Sequence, residues 1–343
     1  MRFVSFRYID DFPRAGVLIG SAVIDLAAAA PLVFEGMEGA RWELLDILRG
    51  TPEGMGIDGA DTIAAAVLDQ IGLSDAELAA DLDDDGTSGR GLAGPLSIGG
   101  AEMVLPLDEV QLLAPLPRPP SLRDFYAFEQ HVATAARNRG SHVPPAWYEF
   151  PAFYFSNHGA IYGPDADIPM PRTTALDYEL EIACVIGQAG RDIAEEEAAA
   201  YIAGYMLMND WSARDIQRLE RTVGLGPAKA KDFATSLGPW LVTPDELEEY
   251  ALDDGRYNLT MIARVNGVER SRGNFRDIYY TFAQMIAHAS RDATLYPGDV
   301  LGSGTVGTGC LLELTADQGP WLQLGDVVEL EATGLGVLKN RIV

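Results

Sequence analysis

The sequence predicts an α+β protein that is mostly β, with a small N-terminal part and a larger C-terminal part. Its 343 residues exceed what one hydrophobic core usually fills, so the length favours two domains. The 36 glycines and 20 prolines are typical of a chain with many turns. From Leu176 to Val343, strand-like runs separated by glycine-rich turns dominate, and no internal repeat is visible.

A proline-rich run at Leu113–Ser121 marks the predicted domain boundary. Its sequence, LAPLPRPPS, suits neither a helix nor a paired strand. We therefore expect a small α+β domain over residues 1–119 and a larger, mostly β domain over residues 120–343. The predicted elements around this boundary are strands at Arg2–Tyr8 and Gly16–Leu26 and helices at Ala40–Leu48, Ala60–Ile71 and Phe125–Arg139.

The charge of the chain excludes one class of partner. Asp and Glu number 51 against 25 Lys and Arg, which gives a formal net charge of −26. Such a surface repels phosphate backbones, so we expect no nucleic-acid partner and interpret the acidity mainly as an aid to solubility. Lysine is rare, and one placed at a functional site would therefore be notable; the lysines are Lys229, Lys231 and Lys339.

The cysteines and the N-terminus favour the cytoplasm. Cys184 and Cys310 lie in apolar runs and predict buried free thiols in a reducing compartment. The N-terminus lacks the apolar segment of a signal peptide. The stretch Ala15–Phe34 is apolar, but a central Asp25 would cost roughly 2.5–3.5 kcal/mol in a membrane. A strand followed by a short helical turn fits it better, and we expect no membrane association.

Two motifs imitate ligand-binding loops. The acidic run Asp81–Gly86 begins like a calcium-binding EF-hand loop, but Leu92 occupies the position of the closing glutamate, so a solvated loop is the better interpretation. Gly302–Gly307 matches G-x-G-x-x-G. The residues after it, Cys310–Leu314, suggest a strand instead of the helix that a dinucleotide site needs, and we expect no dinucleotide there.

A pair of glutamates stands out on a predicted strand. In Leu176–Ala183 apolar and polar residues alternate, which is the period of a β-strand. Glu179 and Glu181 then point to one face, roughly 7 Å apart. Either a cation lies between the two carboxylates or they line an exposed strand face, and the pair alone does not decide between these possibilities.

More acidic groups favour the cation. Tyr201–Asp210 reads as an apolar strand that ends in an aspartate just before a helix, a usual place for a ligand, although Asp210 or Ser212 could simply cap that helix. Asp124 follows the proline-rich run. Together, Asp124, Asp210 and the glutamate pair supply hard oxygen ligands that suit Mg²⁺, Ca²⁺ or Mn²⁺ better than zinc.

At this point the sequence resembles a known family, the fumarylacetoacetate hydrolase superfamily. The segment MNDWSARDIQ at residues 208–217 is close to a signature of that family, and the closing LGDVVELEATGLGVLKNRIV also fits. The resemblance covers residues 121–343, and the N-terminal part is similar to the small β-rich domain of the longer members. It implies a mixed β-sandwich roll for the larger domain, and a homodimer.

The resemblance also implies roles for individual residues. Lys231 is selected over Lys229 by the pattern LGPxxxK-x-F. His131, which alone would more often be a surface residue, has the hydrolase spacing from Asp124 and would activate water with Glu313. The implied metal ligands are Asp124, Glu179, Glu181 and Asp210, and the implied oxyanion-stabilising residues are Arg214, Gln217 and Lys231.

The substrate contacts that the resemblance implies are less regular. Tyr126 and Thr305 match substrate-binding positions, whereas a family arginine has two imperfectly spaced candidates, Arg137 and Arg139. Asn157 stands where fumarylacetoacetate hydrolases have tyrosine. This departure puts fumarylacetoacetate itself in doubt as the substrate.

The implied function is hydrolysis of a carbon–carbon bond in a 1,3-diketone or acylpyruvate-type diketo acid, aided by a divalent cation, with Mg²⁺ preferred. Water activated by His131 and Glu313 would attack a carbonyl while Arg214, Gln217 and Lys231 hold the oxyanion. The alternative is an isomerase, decarboxylase or dehydratase of a 2-oxo acid, which needs no such dyad. A third possibility is a catalytically silent binding protein.

Overall fold

The structure is a computed structural model that describes residues 1–9, 12–50, 55–74, 92 and 94–343. The acidic run Asp81–Gly86, for which a solvated loop was expected, lies outside these described residues. Contacts along the chain divide it into two units, Met1–Leu116 and Pro117–Val343.

The N-terminal unit is built on an antiparallel sheet. In the described part its spatial order is β4-β5-β3-β2-β1-β6. The strands are β1 (Arg2–Arg7), β2 (Arg14–Ile19), β3 (Ala22–Asp25), β4 (Leu96–Ile98), β5 (Ala101–Pro106) and β6 (Gln111–Leu113).

A tight turn divides Gly16–Leu26, which was predicted as one strand, into the hairpin β2–β3. Gly20 in this turn has a φ of +58°, a conformation that favours glycine. The chain then enters helix α1 (Leu26–Ala29), whose first N–H groups bind the carboxylate of Asp25. The polar atoms of Asp25 therefore have partners within a folded domain.

The N-terminal unit contains two further helices, α2 and α3. Helix α2 (Leu44–Leu48) is shorter than predicted because Glu43 and Asp46 cap its first turn reciprocally. Helix α3 (Gly56–Ile71) begins earlier than predicted and buries its apolar face. No helix within the described residues is long and apolar enough to cross a membrane.

The C-terminal unit contains two larger sheets. One has the order β16-β14-β12-β20-β7-β8 with β9 beside β16, and the other has the order β10-β22-β21-β17-β18. Two short pairs, β11–β15 and β13–β19, complete it. The strands are β7 (Leu122–Phe125), β8 (Phe153–Phe155), β9 (Ile161–Tyr162), β10 (Asp167–Ile168), β11 (Leu176–Asp177), β12 (Leu180–Ile186), β13 (Gly190–Arg191), β14 (Ile202–Asp210), β15 (Ser212–Ala213), β16 (Thr235–Val242), β17 (Thr260–Val265), β18 (Val268–Asn274), β19 (Thr294–Leu295), β20 (Val300–Gly302), β21 (Val327–Ala332) and β22 (Gly336–Ile342).

The core of this unit lies on one face of the central strand β12. All seven residues of β12 are buried. Its residues Ile182 and Cys184 belong to the same apolar cluster as Met261 and Ala263 of β17. Because side chains alternate along a strand, Glu181 faces away from this cluster. The mostly β, mixed-sheet architecture confirms the predicted fold class.

Helices join the sheets of the C-terminal unit, and two of them correct the predictions. They are α4 (Glu129–Asn138), α5 (Arg214–Val223), α6 (Phe282–Ala289) and α7 (Leu311–Leu314). The predicted helix Phe125–Arg139 starts too early, because Phe125 closes strand β7, which pairs with β20 and β8. The predicted strand at Cys310–Leu314 is wrong, because Leu311–Leu314 form the short helix α7.

Candidate active site

Four carboxylates meet inside the C-terminal unit. One oxygen from each lies within 4.8 Å of the others, and the four residues are at most 5% exposed. They arrive from separate elements, namely β7, the segment before β12, β12 itself and the end of β14. We call Asp124, Glu179, Glu181 and Asp210 the acidic cluster.

A glycine makes room for this cluster. Gly302 in β20 lies between the paired residues Asp124 of β7 and Ala183 of β12. A Cβ atom at Gly302 would lie 2.6 Å from Oδ1 of Asp124, which is a clash. The bare backbone there lets the Asp124 carboxylate reach across β20 towards Glu181. The structure thus brings together the four residues that the sequence nominated as ligands.

The electrostatics of the acidic cluster are unbalanced. Burial raises the pKa of Asp124 and of Glu181 well above the usual carboxyl range, and neighbouring carboxylates raise it further. Burial would also raise the pKa of Glu179, but the charges of Lys231 and Arg214 outweigh it and hold that pKa below the usual range. With all four carboxylates ionised, the acidic cluster would carry more negative charge than Lys231 and Arg214 neutralise, so ionisation of Asp124 and Glu181 calls for a further cation.

The donor set of the acidic cluster fits a divalent cation. Oδ1 of Asp124 and Oδ1 of Asp210 are buried and accept no hydrogen bond among the described residues. Glu181 accepts a 3.1 Å bond from the Gly304 N–H and a long 3.4 Å bond from the Thr305 hydroxyl, and its carboxyl group lies against that of Asp124. Buried carboxylate oxygens without partners are costly unless they bind a proton or a cation. The cluster could therefore hold a hard divalent ion through oxygen alone.

Lys231 and Tyr154 bind the acidic cluster from two sides. Lys231 is 3% exposed, and its ammonium donates to Glu179 and to Asp210. The Tyr154 hydroxyl donates to Oδ2 of Asp210 at 2.6 Å. Lys229, the competing lysine, is instead exposed and pairs with Asp232 at 2.9 Å. Sequence reasoning missed Tyr154, which lies on β8 opposite Asp124.

The first turn of helix α5 contacts the acidic cluster. Arg214 donates from Nη2 to Oε1 of Glu179 at 2.8 Å and from Nη1 to Oε1 of Gln217 at 3.1 Å. Its Nε donates to Oδ2 of Asp177 at 2.8 Å. All of these side chains are buried. The predicted oxyanion-stabilising residues Arg214, Gln217 and Lys231 therefore lie together beside the acidic cluster.

Asp177 is a residue that sequence reasoning missed. Besides Arg214, it accepts hydrogen bonds from the backbone N–H groups of Leu311 at 2.8 Å and Leu312 at 3.0 Å. It therefore holds the N-terminus of helix α7, the helix that carries Glu313. The sequence contained the pattern that could have identified Asp177, since it precedes Glu179 and Glu181 in the same alternation of polar and apolar residues.

A histidine–glutamate pair forms between helices α4 and α7. Nδ1 of His131 lies 2.8 Å from Oε2 of Glu313, and their side chains are 6% and 2% exposed. The Tyr126 ring and the imidazole pack nearly perpendicular to each other, with 5.3 Å between ring centroids. The thiol of Cys310 donates to the same Glu313 oxygen at 3.5 Å. Because a carboxylate only accepts, Nδ1 carries a proton, and in the neutral form of this imidazole Nε2 is the acceptor.

One cavity of about 350 Å³ is lined both by His131 and by Asp124, Glu179 and Glu181 of the acidic cluster. Its size lies at the lower end of the range for small-molecule sites. Within the described chain its polar and aromatic lining includes Asp124, Tyr126, His131, Tyr154, Glu179, Glu181, Arg214, Gln217, Glu220, Arg221, Lys231 and Thr305.

Three predicted substrate contacts lie elsewhere. Asn157 is exposed, and its amide binds the backbone of Asp232 and Gly159, so it is held in a turn outside the cavity lining. Arg137 and Arg139 are also exposed and absent from the lining, and Arg137 binds the Thr134 hydroxyl at 3.2 Å. Asn157 and Arg137 therefore do not face the cavity, whereas the exposed Arg139 approaches it from outside through the side chain of Tyr126.

Arg221 lines the cavity instead. It lies on the last turn of α5 and forms no ion pair with any described residue. Arg214, Gln217 and Arg221 are spaced i, i+3 and i+7, so they share one helix face. The same periodicity that grouped Arg214 with Gln217 would have nominated Arg221.

The G-x-G-x-x-G loop also belongs to this site. Gly304 has a φ of +77°, and its N–H binds Glu181. A helix, α7, does follow the loop, but Asp177 already binds its first N–H groups. The loop and the helix therefore position the acidic cluster and Glu313.

Comparisons with known proteins identify the family of this chain. A family model described as the fumarylacetoacetate hydrolase C-terminal domain matches residues 121–343. The chain is 32% identical to a fumarylacetoacetase of Arabidopsis thaliana over 56% of this chain and 57% of that relative, so it spans little more than half of the relative's length. It is 33% identical to a mitochondrial oxaloacetate tautomerase of Bos taurus over 70% of this chain and 72% of that protein.

A solved structure shares the fold along the whole chain. Maleylpyruvate hydrolase from Sphingobium sp. SYK-6, in complex with manganese(II) and pyruvate, aligns with a TM-score of 0.67 and 23% identity over 100% of this chain and 99% of that one. These relatives are named as enzymes that act on small molecules. Because the family model matches well over half of the residues, the chain belongs to the fumarylacetoacetate hydrolase family.

Proposed function

We propose that the chain is a hydrolase that cleaves a carbon–carbon bond in a diketo acid of the acylpyruvate type. The observation that supports this most is the buried 2.8 Å contact between His131 Nδ1 and Glu313 Oε2, in which His131 lines the same cavity as the acidic cluster. An isomerase or decarboxylase has no need of a dyad that activates water, whereas a hydrolase does.

His131 is the general base in this proposal. Nδ1 is occupied by Glu313, so Nε2 accepts a proton from water while Glu313 stabilises the imidazolium that forms. The water oxygen bonds to a substrate carbonyl carbon, and the adjacent C–C bond then breaks. The electron pair of that bond passes to the departing enolate carbon, which takes the proton back from the imidazolium.

Three buried donors hold the negative charge that develops on the carbonyl oxygen. Arg214 uses three of its five N–H groups on Asp177, Glu179 and Gln217, which leaves donors for a ligand. Lys231 and Gln217 line the same cavity. Loss of a single oxyanion donor typically lowers kcat by about 10²–10³.

The acidic cluster is proposed to hold Mg²⁺, with Ca²⁺ or Mn²⁺ as alternatives. When bound, such an ion supplies Lewis-acid polarisation of the substrate oxygens. The support from this chain is its four buried carboxylates, of which Asp124 and Asp210 each have an oxygen with no hydrogen-bond partner in the described part of the chain. The manganese ion belongs to the maleylpyruvate hydrolase structure.

Tyr126, Thr305 and Arg221 are the proposed substrate contacts. Tyr126 and Thr305 line the cavity beside the dyad and the acidic cluster, and Arg221 offers a positive charge to an anionic substrate. We also propose that residues 120–343 form the catalytic domain and residues 1–119 a smaller separate domain, and that two copies assemble as a homodimer.

Tautomerisation of a 2-oxo acid is the second candidate. It is favoured by the 33% identity to the oxaloacetate tautomerase, which covers more of this chain than the fumarylacetoacetase match does. It would use the acidic cluster and the oxyanion donors without net consumption of water.

A turnover screen tests these candidates. Acylpyruvates, other diketo acids and oxaloacetate are incubated with the full chain in Mg²⁺ and in EDTA, and the products are separated. Two acids indicate C–C hydrolysis, CO₂ indicates decarboxylation, and an unchanged carbon skeleton indicates tautomerisation. Activity that survives complete chelation would contradict the metal assignment.

A further inference from the structure

A second group of potential metal ligands surrounds the histidine–glutamate pair. Nδ1 of His131 lies 2.8 Å from Oε2 of Glu313, and Sγ of Cys310 lies 3.5 Å from that oxygen and 4.0 Å from Nδ1. All three side chains are almost fully buried. We call His131, Cys310 and Glu313 the mixed-donor cluster.

The spacing of these atoms is close to that of a zinc site. Zinc binds histidine nitrogen and carboxylate oxygen at about 2.0–2.2 Å and thiolate sulfur at about 2.3 Å, in a tetrahedron whose edges are then about 3.3–3.6 Å. The three observed separations differ from these edges by roughly half an ångström or less, which side-chain rotation can supply.

A second observation points to a ligand here. The side chain of Glu313 is only 2% exposed, and its Oε1 has no hydrogen-bond partner among the described residues. An unsatisfied buried carboxylate oxygen is unfavourable and is relieved by a cation. His131 also lines the cavity, so one of the three ligand residues is in contact with it.

The donor types separate this cluster from the acidic cluster. Nitrogen and sulfur favour borderline and soft ions such as Zn²⁺, whereas four carboxylates favour hard ions such as Mg²⁺. We propose that the mixed-donor cluster is a zinc-binding inhibitory site, in which Zn²⁺ takes Nδ1 of His131, Sγ of Cys310 and a carboxylate oxygen of Glu313.

The proton balance of this binding is defined. The S–H bond of Cys310 breaks and its proton leaves to solvent, while the imidazole proton moves from Nδ1 to Nε2. No oxidant or reductant is involved. The bound ion thus removes both the Nε2 lone pair and the Glu313 contact on which water activation depends, so Zn²⁺ switches the dyad off whatever the substrate is.

Cobalt spectroscopy and zinc absorption test the site directly. The full chain is kept in excess Mg²⁺ to occupy the acidic cluster and is titrated with Co²⁺ or Zn²⁺. We expect a thiolate-to-Co²⁺ charge-transfer band in the near ultraviolet, one equivalent of Zn²⁺ per chain, and an X-ray absorption spectrum with one sulfur at about 2.3 Å.

Cysteine variants test whether Cys310 supplies the sulfur ligand. Cys310→Ser is expected to abolish the band and to weaken Zn²⁺ binding by at least roughly 10–100-fold, the loss seen for outer-shell partners alone. The matched control is Cys184→Ser, since Cys184 is equally buried but lies in the apolar core of β12 and should leave both readouts unchanged. A wild-type spectrum with nitrogen and oxygen ligands only would overturn the proposal even if Cys310→Ser failed to fold, as would a band that survives in that variant.

Discussion

Oδ2 of Asp177 lies 2.8 Å from Nε of Arg214, and neither side chain is exposed by more than 2%. The same carboxylate binds the first N–H groups of helix α7. One residue therefore binds both Arg214, a proposed oxyanion donor, and the helix that carries Glu313. This arrangement makes Asp177 a positioning residue for both halves of the site.

Asp177→Asn should therefore lower both stability and activity. Loss of one partner of a buried ion pair typically costs about 3–5 kcal/mol, and the amide still fills the space. We expect a lower free energy of unfolding and a fall in kcat larger than the change in KM, measured by urea denaturation and steady-state kinetics.

Asp25→Asn is the matched control. Asp25 also caps a helix through two N–H groups and pairs with an arginine, Arg14, at 2.8 Å, but it lies in the N-terminal unit. It should lose stability and keep kcat. If Asp25→Asn and Asp177→Asn lowered kcat equally, the positioning role of Asp177 would be wrong.

His131 and Glu313 should behave as one catalytic unit. Removal of a general base usually lowers the rate by about 10²–10⁴. We expect His131→Ala to fall in this range and His131→Ala/Glu313→Gln to be no slower than His131→Ala alone, because residues that act together are not additive. A double-mutant cycle on kcat measures this, and additive losses would show that the two residues act independently.

Lys231 should have opposite effects on turnover and on cation binding. Its ammonium occupies oxygens of Glu179 and Asp210 that a cation would share. Lys231→Met is expected to lower kcat by about 10²–10³ while Mg²⁺ binds more tightly. Kinetics and calorimetry report the two quantities, with the exposed Lys229→Met as control. Weaker Mg²⁺ binding with unchanged kcat would exclude this role.

Stability should depend on pH and on Mg²⁺ together. Burial raises the pKa of Asp124 and Glu181, so in chelator the folded state binds more protons than the unfolded state. This contribution is complete below the unfolded pKa and is lost as the pH rises through the raised folded pKa. Between about pH 5 and 8 we therefore expect the gain in Tm on adding Mg²⁺ to grow with pH.

Differential scanning calorimetry in Mg²⁺ and in EDTA measures this gain. Asp124→Asn should flatten its pH dependence, because it removes one of the titrating ligands. A gain in Tm that stays constant or shrinks as the pH rises would contradict the assignment of these carboxylates as cation ligands.

Arg221 should contribute to substrate binding and little to chemistry. A hydrogen bond to a charged group is worth about 1.5–3 kcal/mol, which corresponds to roughly a 10–100-fold rise in KM for Arg221→Gln with an anionic substrate. Arg218→Gln is the control, because Arg218 lies on the same helix but pairs with Asp317 at 2.7 Å. An equal KM for Arg221→Gln and the wild type would exclude the contact.

The sequence predicts the site residues well where they follow the regular spacing of a strand or a helix. Strand alternation placed Glu179 and Glu181 on one face, and the same alternation extends to Asp177. Helical spacing joined Arg214 to Gln217 and extends to Arg221. In these segments the local period and the tertiary structure require the same side-chain directions.

Prediction failed where remote partners decide the conformation. The four residues of α7 are apolar enough to read as a strand, and the group that caps the helix, Asp177, is distant in sequence. Strand β7 exists because β20 and β8 pair with it. Asn157 is turned away from the cavity by backbone contacts that no side-chain pattern records.

Mass spectrometry of acylpyruvate turnover in ¹⁸O-labelled water tests the central claim most directly. Hydrolysis assisted by His131 and Glu313 predicts two carboxylic acids, one of which carries ¹⁸O at the carbon that was attacked, and little product from His131→Ala. Release of CO₂, or recovery of the substrate with its carbon skeleton intact after full turnover, would contradict it.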